Sequence, residues 1–161
     1  CGVAEFRFPL DFGSFRDIQR HRNGVCRMPL LTTKYGFNDW YLEQLPAESR
    51  VKAEALIAGQ VKSIGALPGR MEDKQYYVAM GFSVSCRTTY ALPAAVYTVE
   101  LRSGRLVHPS LRQVAHKMHH ALKAAFPKLT LHSELDPDDW DVRRGLQDIS
   151  VKDGPALGVK E

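Results

Sequence analysis

The stretch between Pro109 and Pro127 constrains the fold more than any other part of the chain. Leu111, Ala115, Met118, Leu122 and Ala125 recur there at three- and four-residue intervals, so a helix gathers them into one stripe. Pro109 suits the first helical turn, where its missing N–H is no loss, and Pro127 stops the helix. Such a stripe has to be covered, and the remaining sequence must provide the cover.

Two segments read as strands that can do so. Residues 5–12 alternate, with Phe6, Phe8, Leu10 and Phe12 on one face, and Pro9 removes one ladder donor, which predicts an edge position. Residues 83–90 alternate too and are rich in Ser, Thr and Val. Ser14 reads as the N-cap of a helix carrying Arg16, Arg20 and Arg22 and ending near Gly24. A second helix is expected from Pro46 to about Ile64, with Ile57, Val61 and Ile64 as its apolar side and Arg50, Lys52, Glu54 and Lys62 wet. A third runs from Pro93 to about Arg102 and is closed by Ser103-Gly104. Residues 25–37 read as irregular or extended, residues 67–70 as a turn, and residues 76–80 as ambiguous between helix and strand.

The expected class is therefore α/β in the α+β sense, an antiparallel-rich sheet packed with helices. One domain over residues 1–132 accounts for these elements, followed by a polar acidic tail over 133–161. The 161 residues suffice for one real core, and shares of 44% apolar and 25% charged residues are ordinary for a globular protein. A formal net charge of +4 favours anionic ligands but falls short of a nucleic-acid-binding footprint. No apolar run approaches a membrane span or a secretory signal, and the cytoplasm is the expected compartment. Cys1, Cys26 and Cys86 are odd in number and widely spaced, which supports neither a disulfide framework nor a structural zinc site. Cys1 in place of Met is expected of a processed, trimmed or incomplete chain.

Arg20-His21-Arg22 stands out on chemical grounds. Three adjacent cationic or titratable side chains need an anion or water to offset their repulsion. In a continuous helix Arg16 and Arg20 share a face, and guanidinium forks suit phosphate. The plain alternative is a solvated basic helix end complementing the helix dipole. Nucleic-acid binding by this helix ranks lowest, because no aromatics are interleaved as a stacking platform.

Three other clusters have a functional and a plain reading. His116, His119 and His120 have the spacing of helical metal ligands but lie off the apolar stripe, so a solvated or interface-facing cluster is expected and no metal site is assigned. The acidic residues of 136–141 lack the glycine and terminal Glu of an EF-hand loop and read as solvated tail. Cys26 beside the basic triplet could have a lowered thiol pKa, but a small boundary residue is the expected role.

The triplet, together with Thr32-Thr33-Lys34-Tyr35, resembles the signature of flavin-dependent (ThyX-type) thymidylate synthases, an Arg-His-Arg followed by a Ser-x-Arg-Tyr element, with a two-residue insertion between them. Residues 5–12 look like that family's lead-in strand, and Glu100-Leu101-Arg102 resembles its Leu-Arg step before the last long helix. The resemblance implies reductive methylation of dUMP to dTMP, with FAD as cofactor, methylenetetrahydrofolate and NADPH as co-substrates, and a site shared between subunits of a homotetramer. It implies that Arg20, His21 and Arg22 bind flavin, that Thr32 and Lys34 bind dUMP or another anionic nucleotide, and that Arg102 faces the pyrimidine as the catalytic residue. No protein nucleophile is needed; the protein positions phosphates and polarises the ring.

The chain departs from the family pattern at several positions. Met28, Pro29, Leu30 and Leu31 stand where an acidic residue is expected, Asp17 replaces a Gln, Ala91 and Tyr97 replace flavin-site Asn residues, and His108 stands near a Gln of the last-helix motif. The family segment ahead of the first strand, which the resemblance implies also helps bind flavin, is not expected within these residues. The alternative expectation is therefore a degenerate family member, a nucleotide- or flavin-binding or structural partner subunit without independent activity.

Overall fold

The computed structural model describes residues 2–139. Strand β1, Val3–Asp11, runs into helix α1, Phe12–Ile18. A short link leads to β2, Gly24–Arg27, followed by α2, Asp39–Glu43, and α3, Ala47–Ala66. Helix α4, Met71–Lys74, continues as a 3₁₀ turn, Gln75–Tyr77, before β3, Ser83–Ala91. Helices α5, Leu92–Ser103, and α6, Pro109–Ala125, complete the elements.

The sheet is antiparallel, in the order β1-β3-β2, so β1 takes the edge position expected from Pro9. The mixed class with an antiparallel sheet packed by helices is thus observed. Leu10, Val84, Cys86 and Tyr90 on one sheet face meet Phe15, Ile18, Val99, Leu111, Met118 and Leu122 from α1, α5 and α6. Each fully buried Leu or Met contributes about 1.5–3 kcal/mol, so Leu111, Met118 and Leu122 make the α6 stripe a substantial part of the core. Ala125, expected within that stripe, is exposed at the last turn, where the helix has outrun the sheet.

Phe12 begins α1 rather than ending β1, and Asp11, not Ser14, is its N-cap. The Asp11 carboxylate accepts from the Ser14 backbone N–H at 2.9 Å and the Tyr41 hydroxyl at 3.1 Å. The Ser110 hydroxyl donates to its other oxygen. Ser14 is instead held within this buried network, with its hydroxyl 2.8 Å from Ser110 Oγ. One carboxylate thereby joins β1 and α1 to α2 and α6.

Other local expectations also change. Residues 24–27, read as a helix end at Gly24 followed by irregular or extended chain, form β2. Gly24 is required by close approach: a Cβ there would lie 2.3 Å from Tyr90 Cδ1 and 2.5 Å from the Thr89 carbonyl. Helix α3 has no buried residue. Ile57 and Ile64 reach the core as half-buried side chains, whereas Val61 stays in solvent.

The acidic tail is held closely as far as it is described. The backbone N–H groups of His132 and Glu134 donate to Glu100 Oε1 at 2.7 Å and Ser103 Oγ at 3.1 Å, and Arg112 Nη1 donates to the Asp139 carbonyl at 2.6 Å. His119 is buried with Nδ1 2.9 Å from Ser133 Oγ, and His116 Nε2 donates to the Glu134 carbonyl at 2.9 Å. Two of the three histidines expected to be solvated or interface-facing therefore tether the tail, and His120 alone is exposed. Cys1 and residues 140–161 lie outside the described residues, including Trp140 and Asp141 of the acidic cluster.

Substituting Asp11→Asn should cost on the order of 2–4 kcal/mol, because an amide nitrogen cannot accept from the donors that converge there. Tyr41→Phe removes one donor and should cost about 1–2 kcal/mol. Urea unfolding monitored by circular dichroism measures both.

Candidate anion-binding cleft

The strand order determines where the basic triplet lies. β1 and β2 flank β3, so the link after α1 has to pass the end of β3, where Gly24 pairs with Tyr90 and α5 begins. Helix α1 accordingly stops at Ile18, with the Gln19 N–H donating to the Phe15 carbonyl. Arg20, His21 and Arg22 therefore occupy the link and not the helix, and Arg16 and Arg20 do not form the expected helical pair. Arg20 turns back to Asp17, with Nε 3.3 Å from Oδ1.

The link lies against α5. Arg20, His21, Arg22 and Asn23 face Ala94, Tyr97, Thr98, Leu101 and Arg102 across a cleft of about 360 Å³. Arg102, in the last turn of α5, donates from Nε to His21 Nε2 at 2.8 Å and from Nη2 to the Asp17 carbonyl at 2.8 Å. The fold thus brings the triplet together with an arginine 80 residues further along the chain. The exposed Tyr97 ring stands edge-on to His21 at a centroid distance of 6.0 Å and forms part of the rim.

Accepting a hydrogen bond at Nε2 requires His21 to be neutral with its proton on Nδ1. Burial holds its pKa below the ordinary 6.5, the Arg102 charge lowers it further, and Asp17 acts in the opposite sense. The cleft then presents guanidinium groups beside a neutral ring with the Tyr97 ring at the rim, an arrangement suited to a phosphate carrying a planar group.

Thr32 and Lys34 do not reach this cleft. They line a separate hollow of about 190 Å³ with Pro29, Leu30, Tyr35, Val84 and Ser85. Lys34 Nζ stands 6.0 Å from the Tyr35 ring centroid. A larger hollow of about 530 Å³ between α2 and α6 mixes Asp39, Glu43 and Lys117 and shares no residue with the cationic set. Cys26 is half-buried, and desolvation pushes its thiol up to about 11, which makes it a boundary residue with no thiolate character at neutral pH.

Sequence reasoning missed the network of Asp11, Ser14, Tyr41, His108 and Ser110. Its available signal was Asp11 standing immediately before a helix, as an N-cap does. The Ser110 hydroxyl lies 2.9 Å from His108 Nδ1 and donates to the Asp11 carboxylate, so its proton is held by Asp11 rather than by the imidazole. Among the described residues no three His, Cys, Asp or Glu side chains converge as a metal site, and no helix is long and apolar enough to cross a membrane.

No protein-family model matches the chain. The chain is similar to UPF0159 proteins. One from Thermoplasma acidophilum is 34% identical over 143 residues, covering 86% of this chain and 28% of that protein. Another from Chlamydia muridarum is 32% identical over 142 residues, 83% of this chain and 27% of the relative. A Chlamydia pneumoniae protein is 29% identical over 120 residues. The chain thus spans little more than a quarter of the length of the first two relatives, whose names state no activity.

Lowered in the folded state, the His21 pKa contributes stability that is present above the unfolded value and is lost as pH falls through the folded value. His119 is shifted in the same direction by desolvation and by neighbouring His120, Lys123 and His116. His21→Gln keeps an acceptor for Arg102 but cannot titrate. Thermal melts should therefore show wild type losing stability relative to this variant as pH falls below about 6.5.

Proposed function

We propose that the chain is a flavin-dependent thymidylate synthase-like protein carrying out reductive methylation of dUMP to dTMP, acting in the cytoplasm and as a homo-oligomer. The observation that carries this reading is the meeting of Arg20-His21-Arg22 with Arg102 in one cleft, two segments that the family resemblance pairs and that sequence distance does not.

A flavin fits the donor set in part. Arg20 and Arg22 suit its phosphates and Tyr97 offers a ring surface, while the volume of about 360 Å³ accommodates a portion of FAD rather than the whole dinucleotide. When bound, reduced flavin supplies the hydride, and methylenetetrahydrofolate supplies the carbon. Arg102, oriented by His21 and the Asp17 carbonyl, would stabilise negative charge developing on the pyrimidine. Thr32 and Lys34, lying in their own hollow, would complete the nucleotide site of a neighbouring protomer, as the family's shared site implies.

The second reading, a partner subunit without independent activity, is favoured by Asp17. Its carboxylate neutralises Arg20 and its carbonyl engages Arg102, so charge that a ligand would use is already matched internally.

Titrating FAD into the purified protein and following the flavin absorbance tests binding, and tritium release from labelled dUMP with methylenetetrahydrofolate and NADPH tests turnover. Arg22→Ala should weaken flavin binding about tenfold, the equivalent of one charge-assisted hydrogen bond. Asp17→Asn should strengthen it by releasing Arg20. Flavin binding without tritium release would favour the second reading, absence of flavin binding would overturn the first, and tritium release by the chain alone would overturn the second.

A further inference from the structure

The open face of the sheet carries a feature that the cleft does not use. Antiparallel pairing sets Arg7 of β1 opposite Arg87 of β3, and Arg27 of β2 opposite the same Arg87. Directly opposed residues project from the same side of a sheet, so the three guanidinium stems form one row across all three strands. They point away from the face that carries Leu10, Val84, Cys86 and Tyr90, and no helix of the described residues packs over them.

Like charges placed directly opposite one another destabilise a sheet. Arg7 is relieved by Glu5 on its own strand, at 2.8 Å. Among the described residues neither Arg27 nor Arg87 has a carboxylate within ion-pair distance. A row that opposes folding and lacks internal compensation marks a place where the compensation comes from outside.

We propose that this face docks an acidic polypeptide segment, whose carboxylates the Arg7–Arg87–Arg27 row receives. The strands lie about 4.8 Å apart, so the row spans about 10 Å, and each planar fork takes a carboxylate bidentately. The alternatives fit less well. A second copy placed face to face would oppose two arginine rows. A single-stranded nucleic acid needs aromatic platforms, and the neighbouring positions on this face are Glu5, Thr89, Val25, Pro9 and Ser85. A row of guanidinium groups running across three strands suits an extended macromolecular segment better than a small ligand enclosed in a pocket.

The test uses the whole chain and fluorescence anisotropy with a labelled oligoglutamate peptide at low salt. Wild type should bind it, and the double variant Arg27→Gln/Arg87→Gln should bind about tenfold more weakly. The cleft variant Arg20→Gln/Arg22→Gln should bind like wild type. Thermal melts provide the second readout: Arg87→Gln should raise the melting temperature by about 1–3 °C through loss of cross-strand repulsion. No peptide binding, equal effects of the two double variants, or a lowered melting temperature for Arg87→Gln would overturn the proposal. Tighter binding of an oligothymidylate of equal charge would also overturn it, in favour of nucleic acid.

Discussion

The buried carboxylate of Asp11 is the interaction on which the remaining geometry depends. It sits where β1 becomes α1, and the groups that satisfy it come from α1, α2 and α6. A buried carboxyl group is tolerated only when partners converge on it, and here backbone, hydroxyl and amide donors do so. Helix α1 has seven residues, too few to be stable alone. Its direction therefore follows from this cap and from Phe15 and Ile18 in the core. Because the basic link starts where α1 ends, the Asp11 network also determines where Arg20, His21 and Arg22 emerge.

Within the cleft, concentrated positive charge is tolerated because one member of the triplet carries none. A protonated His21 would face Arg102 across 2.8 Å without an acceptor between them. The neutral ring converts that repulsion into a hydrogen bond and fixes the α5 arginine in space. Asp17 contributes twice, through its side chain to Arg20 and its carbonyl to Arg102. A residue that departs from the resemblance's pattern is thus integral to how this chain holds its arginines. This bears on the choice between an active site and a binding-only site.

The sequence shows most clearly those elements whose burial follows a local period. Helix α6 and strands β1 and β3 are legible because a stripe or an alternation survives over nine or more residues. The end of α1 is not, since Arg20 and Arg22 are compatible with helix and the chain turns at Gln19 to reach the far edge of β3. Asp11 and Ser14 are both good caps, and only the distant groups Tyr41 and Ser110 decide between them. β2 is four residues long, too short for an alternation to register. Arg102 stands out in the sequence only through the family resemblance, while its contact with His21 depends on the crossing of the link over α5. The Arg7–Arg87–Arg27 row has no local signal, because its members meet only through strand register.

The two cationic regions constrain assembly in opposite ways. If Thr32 and Lys34 of one protomer complete the cleft of another, the two chains must approach closely, yet like-charged sheet faces cannot meet in a symmetric contact. The helical side has no such obstacle. There α3 exposes Val51 and Leu56, at 66% and 74% exposure, on a helix with no buried residue. A long helix of that kind draws little stability from the core of its own chain, and contact with another surface would supply what it lacks. Homo-oligomerisation through the helical layer and docking of an acidic segment on the open sheet are therefore compatible, because each uses a surface the other leaves open.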